Sequence, residues 1–200
     1  MAIDGRTAAG KTTLADELAV ALRGLGRNAI RTGIDGFHRP RNERYARGRF
    51  SPEGYYFDAR DLKALRALLL DPLGPGGAML YRTASFDLDA DAPIEVAPSR
   101  AKTDDILIVD GTFLQRPELR DCWEVVVFVD VDASVATERG KVRDATLLGG
   151  EDAALALYRE RYAGAFDIYG SIGQPKLNAH IVIENGTFAR PAVRVQKPVK

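Results

Sequence analysis

Residues 3–13 read IDGRTAAGKTT and contain the most informative pattern in the chain. Gly5 and Gly10 bracket four residues, and Lys11 and Thr12 follow at once, which fits the P-loop pattern G-x-x-x-x-G-K-[ST]. Glycines let backbone N–H groups turn inward around phosphate oxygens, and the helix that follows points its positive end at the same anion. The stretch therefore predicts a phosphate-binding loop between a strand and a helix.

Each part of this loop has an expected task in binding ATP and Mg²⁺. Lys11 can reach the terminal phosphates, and the Thr12 hydroxyl can ligate the metal. The alternative is a glycine-rich turn with a structural role only, and the strand before the loop is short, since only four residues precede Gly5. The residues expected to contact the nucleotide are Gly5, Ala8, Ala9, Gly10, Lys11, Thr12 and Thr13.

The rest of the chain predicts an α/β domain with a doubly wound parallel sheet. Continuous apolar runs at 106–109, 125–129 and 181–183 are typical of strands covered on both faces. Helical spacing at 12–25, near 133–141 and at 151–169 separates them, and residues 28–34 form a candidate second strand. We also expect Asp58 to cap a helix, a hairpin within residues 79–98, and a loose tail over residues 191–200.

Composition excludes several classes of protein. The chain has 200 residues, and its 28 basic and 28 acidic side chains cancel, which argues against a nucleic-acid partner. The single Cys122 cannot form an internal disulfide, which fits a reducing cytoplasm. No apolar run is long enough to span a membrane, and the start does not resemble a signal peptide. The sequence leaves homo-oligomer formation open.

Asp110 is the candidate second metal residue. It closes the apolar run 106–109, where a P-loop protein needs an acid to hold the metal, directly or through water. Gly111 follows it, so the paired acids of mechanical ATPases are absent, and the chain has no Asn-Lys-x-Asp motif for reading guanine. A turn aspartate at a strand end is the alternative interpretation.

Asp35 is the candidate group that faces the phosphate acceptor. It ends the second candidate strand, and the carboxyl ends of parallel strands open onto one crevice, which would place it near the γ-phosphate. A carboxylate there can orient an attacking hydroxyl or accept its proton. The alternative is another turn residue at a strand end.

These motifs together resemble the uridine kinase and phosphoribulokinase family of P-loop kinases. The resemblance rests on the P-loop, DGFHR at 35–39, SPEGYY at 51–56, VDGTFL at 109–114 and residues 158–185. It implies transfer of the ATP γ-phosphate to the 5′-hydroxyl of a nucleoside such as uridine or cytidine. It implies that Asp35 acts as the base, that Lys11 contacts phosphates, and that Thr12 and Asp110 hold the metal.

The resemblance also implies a lid that carries arginines. Arg143 is expected to act in catalysis and Arg139 to contact the nucleotide, while Lys141 and Asp144 stand in the same segment. Lid arginines would neutralise charge that develops on the transferred phosphoryl group; a solvated charged helix is the alternative. We expect one domain over residues 1–200, with a helical lid at about 133–165 and an acceptor-binding insertion at about 36–58.

Within the insertion, His38, Arg49, Tyr55 and Tyr56 are the candidate acceptor contacts. Aromatic faces can stack on a base and arginines can bind phosphates, although the aromatic side chains could instead fill a small core. Arg49-Phe50-Ser51 precede Pro52 where uridine kinases usually carry an aspartate for the ribose hydroxyls. Pantothenate, a sugar phosphate or glycerate are therefore alternative acceptors.

A different class of function is a nucleotide-binding regulatory protein that performs no transfer. Asp35 distinguishes this class from a kinase, because a protein that only binds the nucleotide has no need for a carboxylate at that strand end. The other histidine, His180, is expected to be structural.

Overall fold

The structure, a computed structural model, describes residues 1–198 and is built on one six-stranded sheet. Its strands are β1 (Ala2–Gly5), β2 (Ala29–Gly33), β3 (Ile106–Gly111), β4 (Val126–Asp130), β5 (Ile181–Glu184) and β6 (Ala192–Val195). The spatial order is β6-β5-β4-β1-β3-β2, and only the β5–β6 pair is antiparallel. The predicted parallel α/β sheet is therefore confirmed.

Helices cover both faces of this sheet. They are α1 (Lys11–Gly24), α2 (residues 62–73), α3 (Ala133–Leu148) and α4 (residues 151–173), with π-type turns inside α2 and α4. Shorter helical segments are Ile34–Phe37, Arg41–Arg44, Gly54–Asp58, Arg120–Cys122 and Pro175–Asn178. No helix of the described residues is both long and apolar enough to cross a membrane.

Alternate residues of each strand belong to opposite cores. On one face, Val109 and Phe128 pack with Leu65 and Leu69 of α2. On the other, Ile108 and Val127 belong to the cluster that contains alanines of α1 and α3. Burial on both faces explains why these strands are apolar without alternation, and it places all loops that follow the parallel strands at one edge.

Three smaller expectations meet different outcomes. The hairpin is present as two nested antiparallel pairs, Leu80–Tyr81 with Ser99–Arg100 and Phe86–Asp87 with Ala92–Pro93. The expected cap Asp58 is wrong: Asp61 accepts from the Ala64 N–H at 2.9 Å, while Asp58 pairs with Arg47. The expected loose tail is also wrong for Ala192–Val195, because this segment pairs with β5; Lys200 lies outside the described residues.

Candidate active site

The P-loop joins β1 to α1, and its backbone requires glycine at both glycine positions of the pattern. Gly5 has φ 148° and Gly10 has φ 95°, both in the region that side chains disfavour. A Cβ atom on Gly5 would lie 2.5 Å from the carbonyl oxygen of Val129, and one on Gly10 would lie 2.7 Å from Asn185 Nδ2. The first N–H groups of α1 have no partner within the helix, so the loop and the helix start together form an anion cradle.

Lys11 lies over this loop and is poised between acidic neighbours. Its residue is only 8% exposed, and Nζ donates to the Arg6 carbonyl oxygen at 2.7 Å. Burial lowers the pKa of Lys11 to about 8, against the opposing influence of the Asp4, Asp110 and Asp35 carboxylates. Asp35 is one of these opposing charges, and Lys11 in turn is one of the charges that lower the pKa of Asp35.

Thr12 and Asp110, the two expected metal ligands, are in direct contact. Thr12 Oγ1 donates to Asp110 Oδ2 at 2.6 Å, and Arg31 Nη1 lies 2.7 Å from Asp110 Oδ1. Hydroxyl and carboxylate oxygens suit Mg²⁺, which prefers to keep water and phosphate ligands as well. No cluster of three acidic, histidine or cysteine ligands occurs among the described residues, so the metal would depend on Thr12, Asp110 and the nucleotide phosphates.

Asp35 lies in the short helical turn Ile34–Phe37 that follows β2. Its side chain is 72% exposed, and Oδ1 accepts from Arg60 Nη2 at 2.7 Å. Desolvation acts to raise its pKa, but Arg60, with His38 and Lys11, outweighs that effect and lowers the pKa. The carboxylate is therefore ionised at neutral pH, and no described residue donates a hydrogen bond to Oδ2.

Two glycines allow the Asp35 turn to approach Asp110. A Cβ atom on Gly111 would lie 2.3 Å from Ile34 Cγ2, so only glycine leaves room for the turn. Gly33 pairs with Asp110 across β2 and β3, and a Cβ atom there would lie 3.1 Å from Asp110 Oδ1. The glycine after Asp110, which takes the place of a second acid, thus has a packing role beside the candidate acceptor site.

His38 supports Asp35 and does not face an acceptor. Its residue is 7% exposed, Nδ1 lies 2.8 Å from the Asp35 carbonyl oxygen, and Nε2 lies 2.5 Å from Arg60 Nη1. Burial and the charge of Arg60 lower the His38 pKa to about 3, so the ring is neutral, with Nδ1 as donor and Nε2 as acceptor. Its expected direct contact with the acceptor is therefore corrected to a contact with Arg60.

The two candidate tyrosines are largely enclosed by other groups. Tyr56 is 2% exposed and packs against Phe113 and Tyr169, so its expected contact with an acceptor is wrong and the alternative of a small aromatic core is right. Tyr55 is half-buried, with its ring against Phe113, Tyr162 and two guanidinium groups. Arg49 is exposed within the insertion, and its backbone oxygen accepts from Arg161.

The segment expected to form a lid corresponds to α3 and the first part of α4, which pack together around Tyr158. Arg143 forms a two-bond pair with Asp144 at 2.7 and 3.0 Å, and Tyr158 donates to the same carboxylate at 2.7 Å. The Arg143 charge adds to the effect of burial in lowering the pKa of Lys11. Lys141 instead pairs with Glu138 and Glu151.

Arg139 ties the lid to the loop after β5. Its guanidinium donates to the carbonyl oxygens of Asn185 and Gly186, both at 2.9 Å, and lies 3.7 Å from the Phe188 ring centroid. Asn185 Nδ2 in turn donates to the Ala9 carbonyl oxygen at 2.8 Å. Asn185 thus links the P-loop to the lid. The sequence resemblance included its segment but gave it no role.

Asp4 is a second residue to which the sequence gave no role. It is fully buried beneath the P-loop, where Oδ1 accepts from the Gly5 N–H at 2.8 Å and Oδ2 accepts from Gln115 Nε2 at 3.0 Å and from the Tyr169 hydroxyl. Burial raises its pKa, and these hydrogen bonds oppose the rise. A charged residue in a short apolar strand could have marked Asp4 in the sequence. Its side-chain partners Gln115 and Tyr169, however, lie more than 100 residues away.

The sheet order and the loop define the class of the protein, which has the P-loop kinase fold. No family model matches the chain, and no curated protein matches it significantly. Among solved structures, it is similar to a protein provisionally assigned as a uridine kinase from Bacillus stearothermophilus, with 25% identity and TM-score 0.69 over 90% of this chain and 85% of that one.

Two further structures show the same fold at lower identity. A protein provisionally assigned as a fructose transport system kinase from Silicibacter sp. TM1040 has 24% identity and TM-score 0.69 over 86% of this chain and 84% of that one. Phosphoribulokinase from Rhodobacter spheroides has 18% identity and TM-score 0.60 over 90% of this chain and 68% of that one. The chain therefore shares the fold of the uridine kinase and phosphoribulokinase family.

Proposed function

We propose that this protein is an ATP-dependent kinase that transfers the γ-phosphate to a hydroxyl group of a small acceptor. The observation that carries the proposal is that Lys11, the Thr12–Asp110 pair and Asp35 lie at or shortly after the carboxyl ends of three neighbouring parallel strands. A nucleotide-binding regulatory protein has no need for the last of these residues. The similarity to solved kinases supports the same conclusion.

In this proposal the P-loop binds the ATP phosphates and Asp35 Oδ2 accepts the hydrogen bond of the acceptor hydroxyl. The acceptor oxygen forms a bond to the γ-phosphorus, the bond from that phosphorus to the β–γ bridging oxygen breaks, and its electron pair leaves with ADP. The hydroxyl proton passes to Asp35 and then to solvent. Mg²⁺, held by Thr12 and Asp110, would supply charge neutralisation between the phosphates.

Asp35 is better suited to orienting the acceptor hydroxyl than to acting as a strong base. Its pKa is lowered by Arg60, and phosphoryl transfer through a loose transition state demands little proton abstraction before the bond to phosphorus forms. Lys11 and Arg143 would balance the negative charge on the transferred group, and closure of the lid would exclude water from it. The tight pair with Asp144 would hold the Arg143 guanidinium in one orientation.

The experiment measures ADP release with and without candidate acceptors: uridine, cytidine, pantothenate, glycerate and sugar phosphates. We expect release to depend on one of them. Asp35→Asn should lower turnover by about 10²-fold or more while ATP affinity is kept, because only orientation and proton acceptance are removed. Asp89→Asn, an exposed acid in the hairpin, is the matched control. Equal release with every compound and with none would contradict the kinase proposal.

A further inference from the structure

A stack of alternating arginine and tyrosine side chains lies beside Asp35. Arg161 Cζ lies 4.7 Å from the Tyr45 ring centroid and 4.9 Å from the Tyr55 centroid. Arg44 contacts Tyr45 at 5.1 Å, and Arg60 contacts Tyr55 at 5.6 Å. The stack therefore runs from the insertion through the lid helix to the Asp35 pair, and its members are Arg44, Tyr45, Arg161, Tyr55 and Arg60.

The stack buries more positive charge than its neighbours compensate. Arg44, Arg60 and Arg161 are 6%, 6% and 4% exposed. Arg60 pairs with Asp35 and Arg44 pairs with Asp91, each at 2.7 Å. Arg161 has no carboxylate within 4.0 Å among residues 1–198; its Nη1 donates to the Arg49 carbonyl oxygen at 3.0 Å.

The hydrogen-bonding capacity of the stack is also unfilled. The Nε–H groups of all three arginines are buried and have no acceptor in the described part of the chain. An uncompensated buried guanidinium is costly, and contacts with aromatic faces return only about 0.5–2 kcal/mol each. A natural compensation is an anionic ligand group, because guanidinium binds carboxylate and phosphate with paired, charge-assisted hydrogen bonds.

The same stack removes the aromatic faces that a nucleobase would need. Guanidinium groups lie against Tyr45 and Tyr55, and Tyr56 is enclosed in the aromatic core. Phe50 and Phe57 remain partly exposed, at 43% and 44%, but neither belongs to the stack. The surroundings of Asp35 therefore offer cationic recognition where a nucleoside kinase would offer stacking.

From these observations we infer that the acceptor is an anionic alcohol, a small molecule that carries a carboxylate or phosphate besides its reactive hydroxyl. This inference rests on the proposed kinase function. Arg161, together with the exposed Arg49 beside it, binds the anionic group, and Asp35 binds the hydroxyl. Arg161 and Arg60 lie 4.9 and 5.6 Å from the centroid of the same Tyr55 ring, so the anion-binding arginine and the partner of Asp35 share one neighbour.

The test compares acceptors in matched pairs that differ by the charged group. Glycerate is compared with glycerol, pantothenate with its neutral alcohol pantothenol, and ribose 5-phosphate with ribose; uridine is added as a neutral nucleoside. We expect the anionic member of one pair to exceed its partner in kcat/KM by at least about 30-fold, and the successful pair to show whether carboxylate or phosphate is recognised.

Variants then assign the selectivity to Arg161. In Arg161→Gln the ratio within the preferred pair should fall at least about 10-fold, mainly through a higher KM for the anion. Arg159→Gln, two positions earlier on the same helix and exposed, is the matched control and should keep the ratio. If Arg161→Gln does not fold, Arg49→Gln, at an exposed position, tests the same anion contact without a packing change.

A binding measurement separates this inference from the kinase proposal. With the P-loop filled by a non-hydrolysable ATP analogue and Mg²⁺, glycerate, pantothenate and ribose 5-phosphate are each added, and at least one should raise Tm in the wild type but not in Arg161→Gln. Equal use of neutral and anionic members, or an unchanged ratio in Arg161→Gln, would overturn the anionic acceptor and leave the kinase standing. If anions bind in an Arg161-dependent way but no acceptor is phosphorylated, the anion site stands and the kinase proposal is overturned.

Discussion

The Thr12 hydroxyl donates to the Asp110 carboxylate at 2.6 Å, and this contact joins the start of α1 to the end of β3. The other Asp110 oxygen lies 2.7 Å from Arg31, which itself pairs with Asp16 of α1 at 2.8 Å. The carboxylate is therefore held from two sides with one oxygen directed at the first turn of the helix. Such restraint is what a metal-binding oxygen requires.

Asp110→Asn should weaken the dependence on Mg²⁺ without unfolding the protein. The amide keeps the shape of the side chain but loses its charge, so we expect half-saturation with Mg²⁺ to rise and turnover to fall by roughly 10–100-fold. A Mg²⁺ titration of initial rates measures both. Asp104→Asn, at an exposed position shortly before β3, should leave the titration unchanged. An unaltered titration in Asp110→Asn would remove this residue from the metal site.

Lys11 should show opposite effects on stability and on nucleotide binding. A pKa lowered from 10.5 to about 8 corresponds to a cost of about 3 kcal/mol for keeping the charge buried at neutral pH. Lys11→Met removes that cost, and we expect Tm without nucleotide to rise by roughly 2–4 °C per kcal/mol recovered. Stabilisation by ATP and Mg²⁺ should be lost at the same time.

The pH dependence gives a second check on Lys11. Between about pH 8 and pH 10 the unfolded chain keeps the lysine proton that the native state has released, so wild-type stability should rise with pH in this window. Lys11→Met should lack this rise. Lys63→Met, at an exposed position on α2, is the control and should keep it. A decrease of Tm in Lys11→Met would show that its hydrogen bond to Arg6 outweighs the desolvation cost.

Gly140 should be indispensable to the packing of the lid. A Cβ atom at this buried position of α3 would lie 1.9 Å from Tyr158 Cζ, so the ring would have to leave and break its hydrogen bond to Asp144. We expect Gly140→Ala to lower the free energy of unfolding by about 1–3 kcal/mol and to reduce turnover through misplacement of Arg143.

Gly170→Ala, in the same two-helix segment, should not destabilise the protein as Gly140→Ala does. Nothing lies within 4 Å of a Cβ atom at this position of α4, and alanine is favoured over glycine in a helix by about 1 kcal/mol. This variant should therefore be neutral or stabilising, with turnover unchanged. Chemical denaturation and initial rates measure both variants, and equal stability of the two would show that Tyr158 moves aside at no cost.

The sequence predicted those features whose partners are near in the chain or fixed by sheet geometry. The P-loop is a local pattern, Asp110 lies at the end of β3, and Asp35 follows the adjacent parallel strand β2 by two residues, so topology brings all three to one edge. Burial lowers the pKa of Lys11, and the Asp110 and Asp35 carboxylates oppose that lowering.

The remaining contacts depend on side chains that meet only after folding. Arg60 lies 25 residues after Asp35, and Arg161 reaches the backbone of Arg49 across 112 residues. Neither pair has a spacing that marks it in the sequence, because each arginine is one of many in a chain with balanced charge. The aromatic side chains of the insertion suggested stacking on a base, but arginines occupy the space beside Tyr45 and Tyr55.

His38 should make the protein sensitive to mild acid. Its native pKa of about 3 lies below the ordinary value of 6.5, so between these values the unfolded chain binds a proton that the folded state excludes. Stability is then lost as pH falls through 6.5, by at most about 1.4 kcal/mol per pH unit. Burial of the ring is the larger cause, and Arg60 adds to it, since a protonated ring would set an N–H group against the guanidinium at 2.5 Å.

His38→Gln should remove this part of the acid sensitivity, because a neutral amide can accept from Arg60 and takes no proton. Denaturation at pH 6.5, 5.5 and 4.5 measures the slope in both proteins. His180→Gln, which changes the only other histidine and lies outside the Asp35–Arg60 contact, should keep the wild-type slope. If His38→Gln lost stability with falling pH as steeply as the wild type, the His38 ring would not be the group that excludes the proton.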